Sequence, residues 1–325
     1  MTERVRLSFD RGTLVLEPAQ LPEGIELPEG FLADPRIGGR SRAPATAYRR
    51  ALAHLIRGGA EVDDEARAYE ELELAPRQDR EPYPHQTEAV EAWRKAGRRG
   101  VVVLPTGAGK SHVAIMAMAL TGRSTLIVAP TIDLMTQWMN LLSVSFGGDL
   151  VGALGGGLSD IKPLTCTTYD SAYLHMERLG NRFGLLVFDE VHHLPGPSYS
   201  QAAEGAIAPF RLGLTATPER EDGAEGRLDA LVGPIIYRRE IGELSGSYLA
   251  SYQVERLRVH LNPEERAAYE AARACYREFL AVEGIRMSSP SGWATFLQRS
   301  CRSRDGRRAW RAWREQKRIP LQSEA

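Results

Sequence analysis

The chain has 325 residues, more than one compact core usually needs, so its length predicts two or three structural units. Hydrophobic residues make up 43% and charged residues 26%, and the apolar runs are too short to span a bilayer, so the sequence indicates no membrane role. Without a secretory signal, we expect a cytoplasmic protein. The 41 basic and 42 acidic residues leave a net charge of -1, which excludes a uniformly basic coat for nucleic acid.

Residues 1–78 are predicted to form a small α+β domain. Two short strands, VRLSF and TLVLE, flank the turn Asp10-Arg11-Gly12, whose Asp and Gly favour a hairpin. After a segment rich in Pro and Gly, the sequence ATAYRRALAHLIRGG predicts a helix. Its apolar face is expected to hold Tyr48, Leu52, Leu55 and Ile56.

Short apolar strands alternate with amphipathic segments across residues 79–243. The strands are GVVVL, TLIVA, PLTCTT, LLVFDE, RLGLTAT and PIIYR. Such alternation predicts an α/β domain in which a doubly wound parallel sheet is covered by helices on both faces.

Residues 244–325 are predicted to be helical and increasingly basic. One helix is delimited by Asn262 as N-cap and by Gly284 after its end. From Arg286 to Arg318 there are ten basic residues and two acidic ones, an excess of eight positive charges. Trp310 and Trp313 alternate with these arginines; we expect them to pack into a core, with stacking on nucleic acid as the alternative.

The segment VVVLPTGAGKSHVAIMAMA predicts a strand, a glycine-rich loop and a helix, which is the context that a phosphate-binding loop requires. Glycines let the backbone N–H groups turn towards phosphates, and the helix N-terminus adds a favourable dipole. Lys110 is expected to reach the β and γ oxygens and Ser111 to ligate magnesium. A tight turn with a surface lysine is the alternative. The predicted nucleotide ligands here are Thr106, Gly107, Ala108, Gly109, Lys110 and Ser111.

A second motif, LLVFDEVHH, ends an apolar strand in two acidic residues. At the carboxyl edge of a parallel sheet, Asp189 would hold magnesium and Glu190 would act as general base towards the attacking water. A solvated strand end is the alternative. His192 and His193 also allow a zinc site, although no further ligands stand at the spacing of structural zinc.

The order of LPTGAGKS, IVAPT, TTYDSA, DEVHH and LGLTATPER along the chain resembles motifs I, Ia, Ib, II and III of superfamily 2 helicases. Within that superfamily, PLTCTTYDSAY and IAPFRLGLTATPEREDG are similar to the XPB family of DNA repair helicases. The resemblance implies a RecA-like P-loop fold for residues 79–243, with ATP and Mg²⁺ as cofactors. It also implies ATP hydrolysis coupled to 3′–5′ unwinding of DNA.

The resemblance further implies roles for individual residues. Gln86 resembles the glutamine that reads the adenine edge, although Tyr83 stands where the family has arginine. His192 resembles the fourth residue of the DExH box, which couples the γ-phosphate to Thr215, Ala216 and Thr217. Contacts with the nucleic-acid backbone are expected at the opposite ends of the same strands, from Pro130, Thr131, Thr168, Tyr169 and the triplet Arg220, Glu221 and Asp222. The alternatives are an exposed glutamine, a buried core histidine and a solvated triplet.

Superfamily 2 motors place ATP between two RecA-like domains, so the resemblance implies a second such domain, which this sequence does not contain. The expected partners are DNA, that second domain in the rest of a longer protein or in another chain, and an XPB-associated nuclease. The segment 244–325 would correspond to a thumb-like insertion that grips DNA. Two other functions stay open: a superfamily 2 translocase of a restriction or phage-defence system, and a nucleotide-gated DNA-binding module without activity of its own.

Overall fold

The computed structural model describes residues 4–18, 20–36, 38–78, 80–196, 198–219, 223–246, 248, 260–287 and 292–321. The chain divides into two compact units, Met1–Ser251 and Tyr252–Ala325. The first unit holds two sheets, on either side of the predicted domain boundary at residue 78. Within the described residues, no helix is long and apolar enough to cross a membrane.

A small mixed sheet forms the N-terminal part of the first unit. Its elements are β1 (Val5–Asp10), β2 (Thr13–Glu17), β3 (Leu32–Ala33), β4 (Ser41–Pro44), α1 (Tyr48–Arg57) and β5 (Val62–Asp64). The strands lie in the order β3-β4-β2-β1-β5, and of these pairs β1 with β5 is parallel. The predicted hairpin is confirmed, because β1 and β2 pair antiparallel and the turn residues Arg11 and Gly12 have φ angles of 46° and 79°.

Helix α1 packs against this sheet through Tyr48 and Leu55, which are both buried. The predicted apolar face was wrong at Ile56, whose side chain is 59% exposed. Ile56 lies outside the group of α1 residues that pack against the sheet. The Tyr48 hydroxyl donates to Asp64 Oδ2 at 2.6 Å and ties α1 to β5.

A larger sheet makes up the rest of the first unit. Its strands are β6 (Arg99–Val103), β7 (Thr125–Ala129), β8 (Val151–Gly155), β9 (Leu158–Asp160), β10 (Leu164–Thr168), β11 (Leu185–Asp189), β12 (Phe210–Thr215) and β13 (Ile235–Arg238). Its helices are α2 (Pro84–Lys95), α3 (Lys110–Thr121), α4 (Ile132–Phe146), α5 (Tyr169–Leu179), α6 (Gln201–Glu204), α7 (Leu228–Leu231) and α8 (Ile241–Leu244).

The larger sheet is covered on both faces. The strand order is β13-β6-β12-β11-β7-β10-β8-β9, and the pairs are parallel except for β8 with β9. Alternate strand residues point to opposite faces. Val102 therefore packs in one core with residues of α2, α3 and α4, whereas Val101 and Val103 pack in a second core with residues of α5, α6 and α7. The predicted doubly wound sheet is confirmed.

The core of the first unit also contains a buried charge at the start of β12. Arg211 is fully buried, and its guanidinium donates to three backbone carbonyl oxygens at 2.5–3.3 Å. Burial, followed by repulsion from Arg99, lowers the pKa of Arg211 well below its usual range. The indole Nε1 of Trp93 donates to the Arg211 carbonyl oxygen at 2.9 Å and joins α2 to this amino edge of the sheet.

The second unit contains α9 (Pro263–Val282), α10 (Gly292–Ser300) and α11 (Arg304–Leu321). Helix α9 begins as predicted, because the Asn262 side chain accepts from the Glu265 N–H at 2.8 Å. The rings of Trp293, Trp310 and Trp313 pack together at centroid distances of 4.7–5.9 Å. The expectation that Trp310 and Trp313 serve packing is confirmed.

Candidate nucleotide-binding site

The glycine-rich loop joins β6 to α3 at the carboxyl edge of the larger sheet. Gly107 and Gly109 have φ angles of 87° and 81°, which residues with a side chain rarely adopt. A Cβ on Gly109 would also collide with the Gln86 amide. Lys110 lies in the first turn of α3, and its ammonium donates to the Leu104 carbonyl oxygen at 3.3 Å. The loop therefore has the backbone geometry that a phosphate site requires.

A cavity of about 530 Å³ opens beside this loop, a volume suited to a small-molecule ligand. Seven predicted residues line it: Thr106, Gly107, Gly109, Lys110, Ser111, Asp189 and Glu190. Ala108, by contrast, is buried beneath the loop. Arg80 also lines the cavity and was not predicted, and burial together with Arg80 lowers the pKa of His112. The cavity brings together the loops that follow β6 and β11.

The lining includes the oxygen donors that magnesium prefers. The hydroxyl of Ser111 and the carboxylate of Asp189 are hard ligands, and Mg²⁺ beside a nucleotide usually takes one or two protein oxygens together with phosphates and water. These residues fit that pattern. Among the residues that the structure describes, no three His, Cys, Asp or Glu side chains are placed together so that they could hold a metal ion.

Hydrogen bonds orient the Asp189 carboxylate at the end of β11. Its Oδ1 accepts from the Glu190 backbone N–H at 3.1 Å, and its Oδ2 accepts from Trp138 Nε1 at 2.8 Å. Burial raises the pKa of Asp189, the Trp138 bond opposes that rise, and the nearby Glu190 carboxylate adds to it. Each carboxylate oxygen keeps a lone pair that a cation can use.

Strand β12 brings Thr215 to the acidic pair. Glu190 has a left-handed φ of 45°, a conformation that costs free energy for a residue with a side chain. Its Oε2 accepts from Thr215 Oγ1 at 3.3 Å and lies 3.4 Å from His192 Nδ1. His192 Nδ1 and Thr215 Oγ1 are 2.9 Å apart, and Thr215 Oγ1 accepts from the Thr217 N–H at 3.2 Å. These residues form one network, to which Ala216, lacking a polar side chain, adds no side-chain hydrogen bond.

Gln86 does not face the cavity. It is fully buried, its Nε2 donates to the Ala108 carbonyl oxygen at 3.1 Å, and its Oε1 accepts from the Tyr83 N–H at 3.0 Å. Each end of the amide thus has one bond within the protein, and the reading of adenine by Gln86 stays a prediction. His85 supports the loop in the same way and was missed: its Nε2 lies 2.9 Å from the Ala108 carbonyl oxygen, which can only accept.

The predicted nucleic-acid contacts lie at the same edge of the sheet as the nucleotide cavity. The expectation of opposite strand ends was wrong, because β6, β7, β10 and β11 belong to one parallel arrangement and the residues after them share its carboxyl edge. Pro130 and Thr131 follow β7, and the exposed Thr131 hydroxyl caps α4 by accepting from the Leu134 N–H at 3.2 Å. Thr168 ends β10, is buried, and caps α5 by accepting from the Ser171 N–H at 3.3 Å.

The side chain of Tyr169 is buried and is not available to nucleic acid. Its ring is 2% exposed, its hydroxyl donates to the Asp189 carbonyl oxygen at 3.0 Å, and burial raises its pKa well above the usual range. The predicted contact with the nucleic-acid backbone therefore cannot come from this hydroxyl, and a contact through the backbone N–H of Tyr169 stays a prediction. Arg220, Glu221 and Asp222 lie outside the described residues, so their contact stays a prediction.

Trp138 is the most informative residue that the sequence analysis missed. It belongs to no short motif, and the only sequence signal for it is the helical spacing of apolar residues around it. Met135, Trp138 and Leu142 recur at helical spacing and are all buried, a pattern that predicts a core-facing stripe but not a hydrogen bond to an acidic residue.

Two family models match this chain. The model of the Xeroderma pigmentosum group B helicase damage recognition domain matches residues 7–66. The model of the Type III restriction enzyme, res subunit, matches residues 79–220, which include both phosphate-site motifs. The two matches cover the small N-terminal sheet and most of the larger sheet.

Similar curated proteins carry related names. The DNA 3'-5' translocase XPB2 of Sulfurisphaera tokodaii is 44% identical over 241 residues, which are 74% of this chain and 54% of that protein. The DNA 3'-5' helicase XPB of Kineococcus radiotolerans is 38% identical over 58% of this chain and 36% of its own length. That of Mycobacterium tuberculosis is 37% identical over 54% of this chain and 34% of its own length. The chain thus spans about half the length of the first relative, and it belongs to the XPB family of superfamily 2.

Proposed function

We propose that the chain carries the ATP-binding part of a DNA translocase or helicase that moves 3′ to 5′ and uses ATP hydrolysis. The observation that supports this most directly is the shared cavity of about 530 Å³, where the P-loop after β6 meets the acidic pair after β11. In P-loop NTPases, the loop and the acidic residues at a strand end together hold the ATP phosphates and Mg²⁺ for hydrolysis. We base DNA as the substrate and 3′ to 5′ as the direction of movement on the names of the relatives.

Each lining residue has a role in this proposal. Lys110 and the N-terminus of α3 bind the β- and γ-phosphates, and Ser111 and Asp189 hold Mg²⁺. When bound, the magnesium ion neutralises charge on the phosphate oxygens. Glu190 accepts the proton of the attacking water, and the network of Thr215 and His192 keeps its carboxylate in place.

DNA binding is proposed at two places in the chain. In the first unit, Pro130, Thr131 and Thr168 lie at the carboxyl edge of the sheet, where the backbone N–H groups that begin α4 and α5 are proposed to bind phosphates. In the second unit, one surface cavity of α11 is lined by three arginines and one acidic residue, namely Arg304, Arg308, Arg311 and Asp305. Both surfaces suit a phosphate backbone, which is bound without regard to base sequence.

The partners and the pathway are part of the same proposal. A second RecA-like domain would close over the γ-phosphate, and an XPB-associated nuclease would act on the exposed DNA. The damage recognition match at residues 7–66 and the XPB names of the relatives favour repair. The res-subunit match keeps a restriction or defence translocase as the second candidate. A nuclease gene beside the native gene would favour repair, and restriction genes there would favour the second candidate.

The proposal is tested by measuring ATP hydrolysis by the complete chain with and without single-stranded DNA, after its affinities for a fluorescent ATP analogue and for DNA have been measured. We expect magnesium-dependent nucleotide binding and a slow hydrolysis that DNA stimulates. Absence of nucleotide binding would contradict the site itself. Binding without any hydrolysis would favour a nucleotide-gated DNA-binding module.

A further inference from the structure

Two buried side chains from different helices donate hydrogen bonds to Asp189. The indole Nε1 of Trp138, on α4, donates to Asp189 Oδ2 at 2.8 Å. The hydroxyl of Tyr169, on α5, donates to the Asp189 backbone carbonyl oxygen at 3.0 Å. Their rings are 3% and 2% exposed, so neither can itself touch a nucleotide or DNA. The chemistry proposed above uses neither side chain.

Both helices begin at residues proposed to contact DNA. Thr131 caps α4, and Trp138 lies in the second turn of that helix. Thr168 caps α5, and Tyr169 is the first residue of that helix. Each candidate DNA contact is therefore joined to Asp189 by at most two turns of hydrogen-bonded helix, a length of about 10 Å.

We infer that Trp138 and Tyr169 are positioning residues that transmit DNA contact at Thr131 and Thr168 to Asp189, the proposed magnesium ligand. The inference rests on the proposed function. A short helix moves as one body, so DNA that pulls on its N-terminus also moves the donor further along it. Movement of either donor changes the direction in which the Asp189 carboxylate presents its lone pairs to the cation. DNA binding thereby changes the affinity of the site for Mg²⁺ with ATP.

Packing alone does not account for the Trp138 contact. A phenylalanine between Met135 and Leu142 would also fill the core, but it would leave Asp189 Oδ2 without this donor. Residues that hydrogen-bond to metal ligands set ligand orientation, and losing one commonly costs about 10- to 100-fold in metal affinity. Removal of the indole N–H, with an aromatic ring kept in place, therefore tests whether Trp138 positions Asp189.

The first test measures how much Mg²⁺ is needed for half-maximal binding of a fluorescent ATP analogue to the complete chain, with and without single-stranded DNA. DNA should lower this midpoint in the wild-type protein. Trp138→Phe should raise the midpoint about 10-fold and abolish the effect of DNA, because it removes the donor and keeps an aromatic ring. Tyr169→Phe should act in the same direction with a smaller shift.

Matched controls are present in the same unit. Trp93→Phe removes another buried indole bond, of 2.9 Å to Arg211, at the amino edge of the sheet. Tyr48→Phe removes another hydroxyl bond, of 2.6 Å to Asp64, in the small sheet. Both should leave the magnesium midpoint and its response to DNA unchanged. Thermal unfolding of each variant is compared with that of its control, and if Trp138→Phe does not fold, Tyr169→Phe against Tyr48→Phe decides the question.

The second test needs neither nucleotide nor metal. The chain has five tryptophans, so ¹⁵N-labelled tryptophan gives five indole signals, of which Trp138→Phe and Trp93→Phe identify two. Adding single-stranded DNA should move the Trp138 signal and leave the Trp93 signal in place. The inference would be overturned, and the proposed function left intact, if the Trp138 signal did not shift when DNA binds. Equal magnesium midpoints in Trp138→Phe and Trp93→Phe would have the same consequence. Failure of the wild-type chain to bind ATP or DNA would overturn the proposed function, and this inference with it.

Discussion

Two pairs of loops leave the same edge of the larger sheet, yet they differ in what they offer a ligand. The loops after β6 and β11 place Lys110, Ser111 and Glu190 in a cavity of about 530 Å³. The loops after β7 and β10 use the Thr131 and Thr168 hydroxyls as helix caps. A shared position at the carboxyl edge therefore does not make a side chain a binding group.

The difference indicates how each pair of loops would bind. At the nucleotide loops, side chains and backbone both face the cavity, and single substitutions should have large effects. At the other loops, the groups best placed for a phosphate are the N–H groups at the N-termini of α4 and α5. Substitution of the capping side chains should therefore change stability more than DNA affinity.

The largest effect is expected from Glu190→Gln. The amide cannot accept the proton of the attacking water, so hydrolysis should fall about 100-fold or more, while nucleotide affinity stays within about twofold of wild type. Single-turnover hydrolysis of labelled ATP in the presence of DNA measures the hydrolysis rate, and titration with a fluorescent nucleotide measures the affinity. Glu91→Gln, on the outer side of α2, is the control. Hydrolysis at the wild-type rate in Glu190→Gln would remove Glu190 from the chemistry.

Lys110→Ala should abolish measurable nucleotide binding, with a loss of at least about 100-fold, because charge-assisted hydrogen bonds to two phosphates disappear. Equilibrium titration with a fluorescent nucleotide gives the number. Lys95→Ala removes an exposed lysine of α2 and should bind as wild type. If Lys110→Ala bound ATP normally, the P-loop assignment would be lost and the two pairs of loops would no longer differ.

DNA affinity of the chain should fall steeply with salt and show no sequence preference. The excess of eight positive charges between Arg286 and Arg318 limits how many counterions this segment can release. Each phosphate contact contributes about 0.7 to the salt slope on single strands, so Arg308→Gln with Arg311→Gln should lower the slope by about 1.4. Fluorescence anisotropy from low to moderate salt measures it. An unchanged slope in the double variant would place the DNA contact elsewhere.

The same chain should bind DNA without separating strands. Unwinding needs two DNA-binding sites that move relative to each other. Fast hydrolysis needs the arginines of a second RecA-like domain, which stabilise the transferring phosphoryl group. The measurement is strand separation on a tailed duplex. The Lys110→Ala protein, purified in the same way, shows how much unwinding comes from contaminating host helicases. Robust unwinding by residues 1–325 would show that a second motor domain is dispensable.

The smallest effect is expected from Thr131→Ala. Loss of the cap should reduce the free energy of unfolding by about 1 kcal/mol, and DNA affinity should change less than about threefold. Thr131→Ser keeps the capping oxygen and should restore stability. Urea denaturation and DNA titration on the same proteins separate the two effects. A loss of DNA affinity much greater than threefold, at preserved stability, would mean that the hydroxyl itself contacts the backbone.

Features that depend on neighbouring residues could be predicted from the sequence. The strand, glycine loop and helix around Lys110 were predictable, because the φ angles of Gly107 and Gly109 are a local steric requirement. The beginning of α9 at Asn262 was predictable because a cap bonds to an N–H only three residues away. The doubly wound sheet followed from the alternation of strands and helices, and the Asp189–Glu190 pair from its place at a strand end.

Features that depend on distant parts of the chain became visible only in the folded structure. Strand β7 lies between β10 and β11, which turns α4 and α5 towards Asp189 and lets Trp138 and Tyr169 reach it. The burial of Gln86 under the P-loop and of Arg211 at the opposite edge likewise follows from packing between elements far apart in sequence. A short motif records which groups a residue carries. Which partner each group bonds with depends on strand order and packing. These depend on the whole chain and cannot be predicted from one short segment.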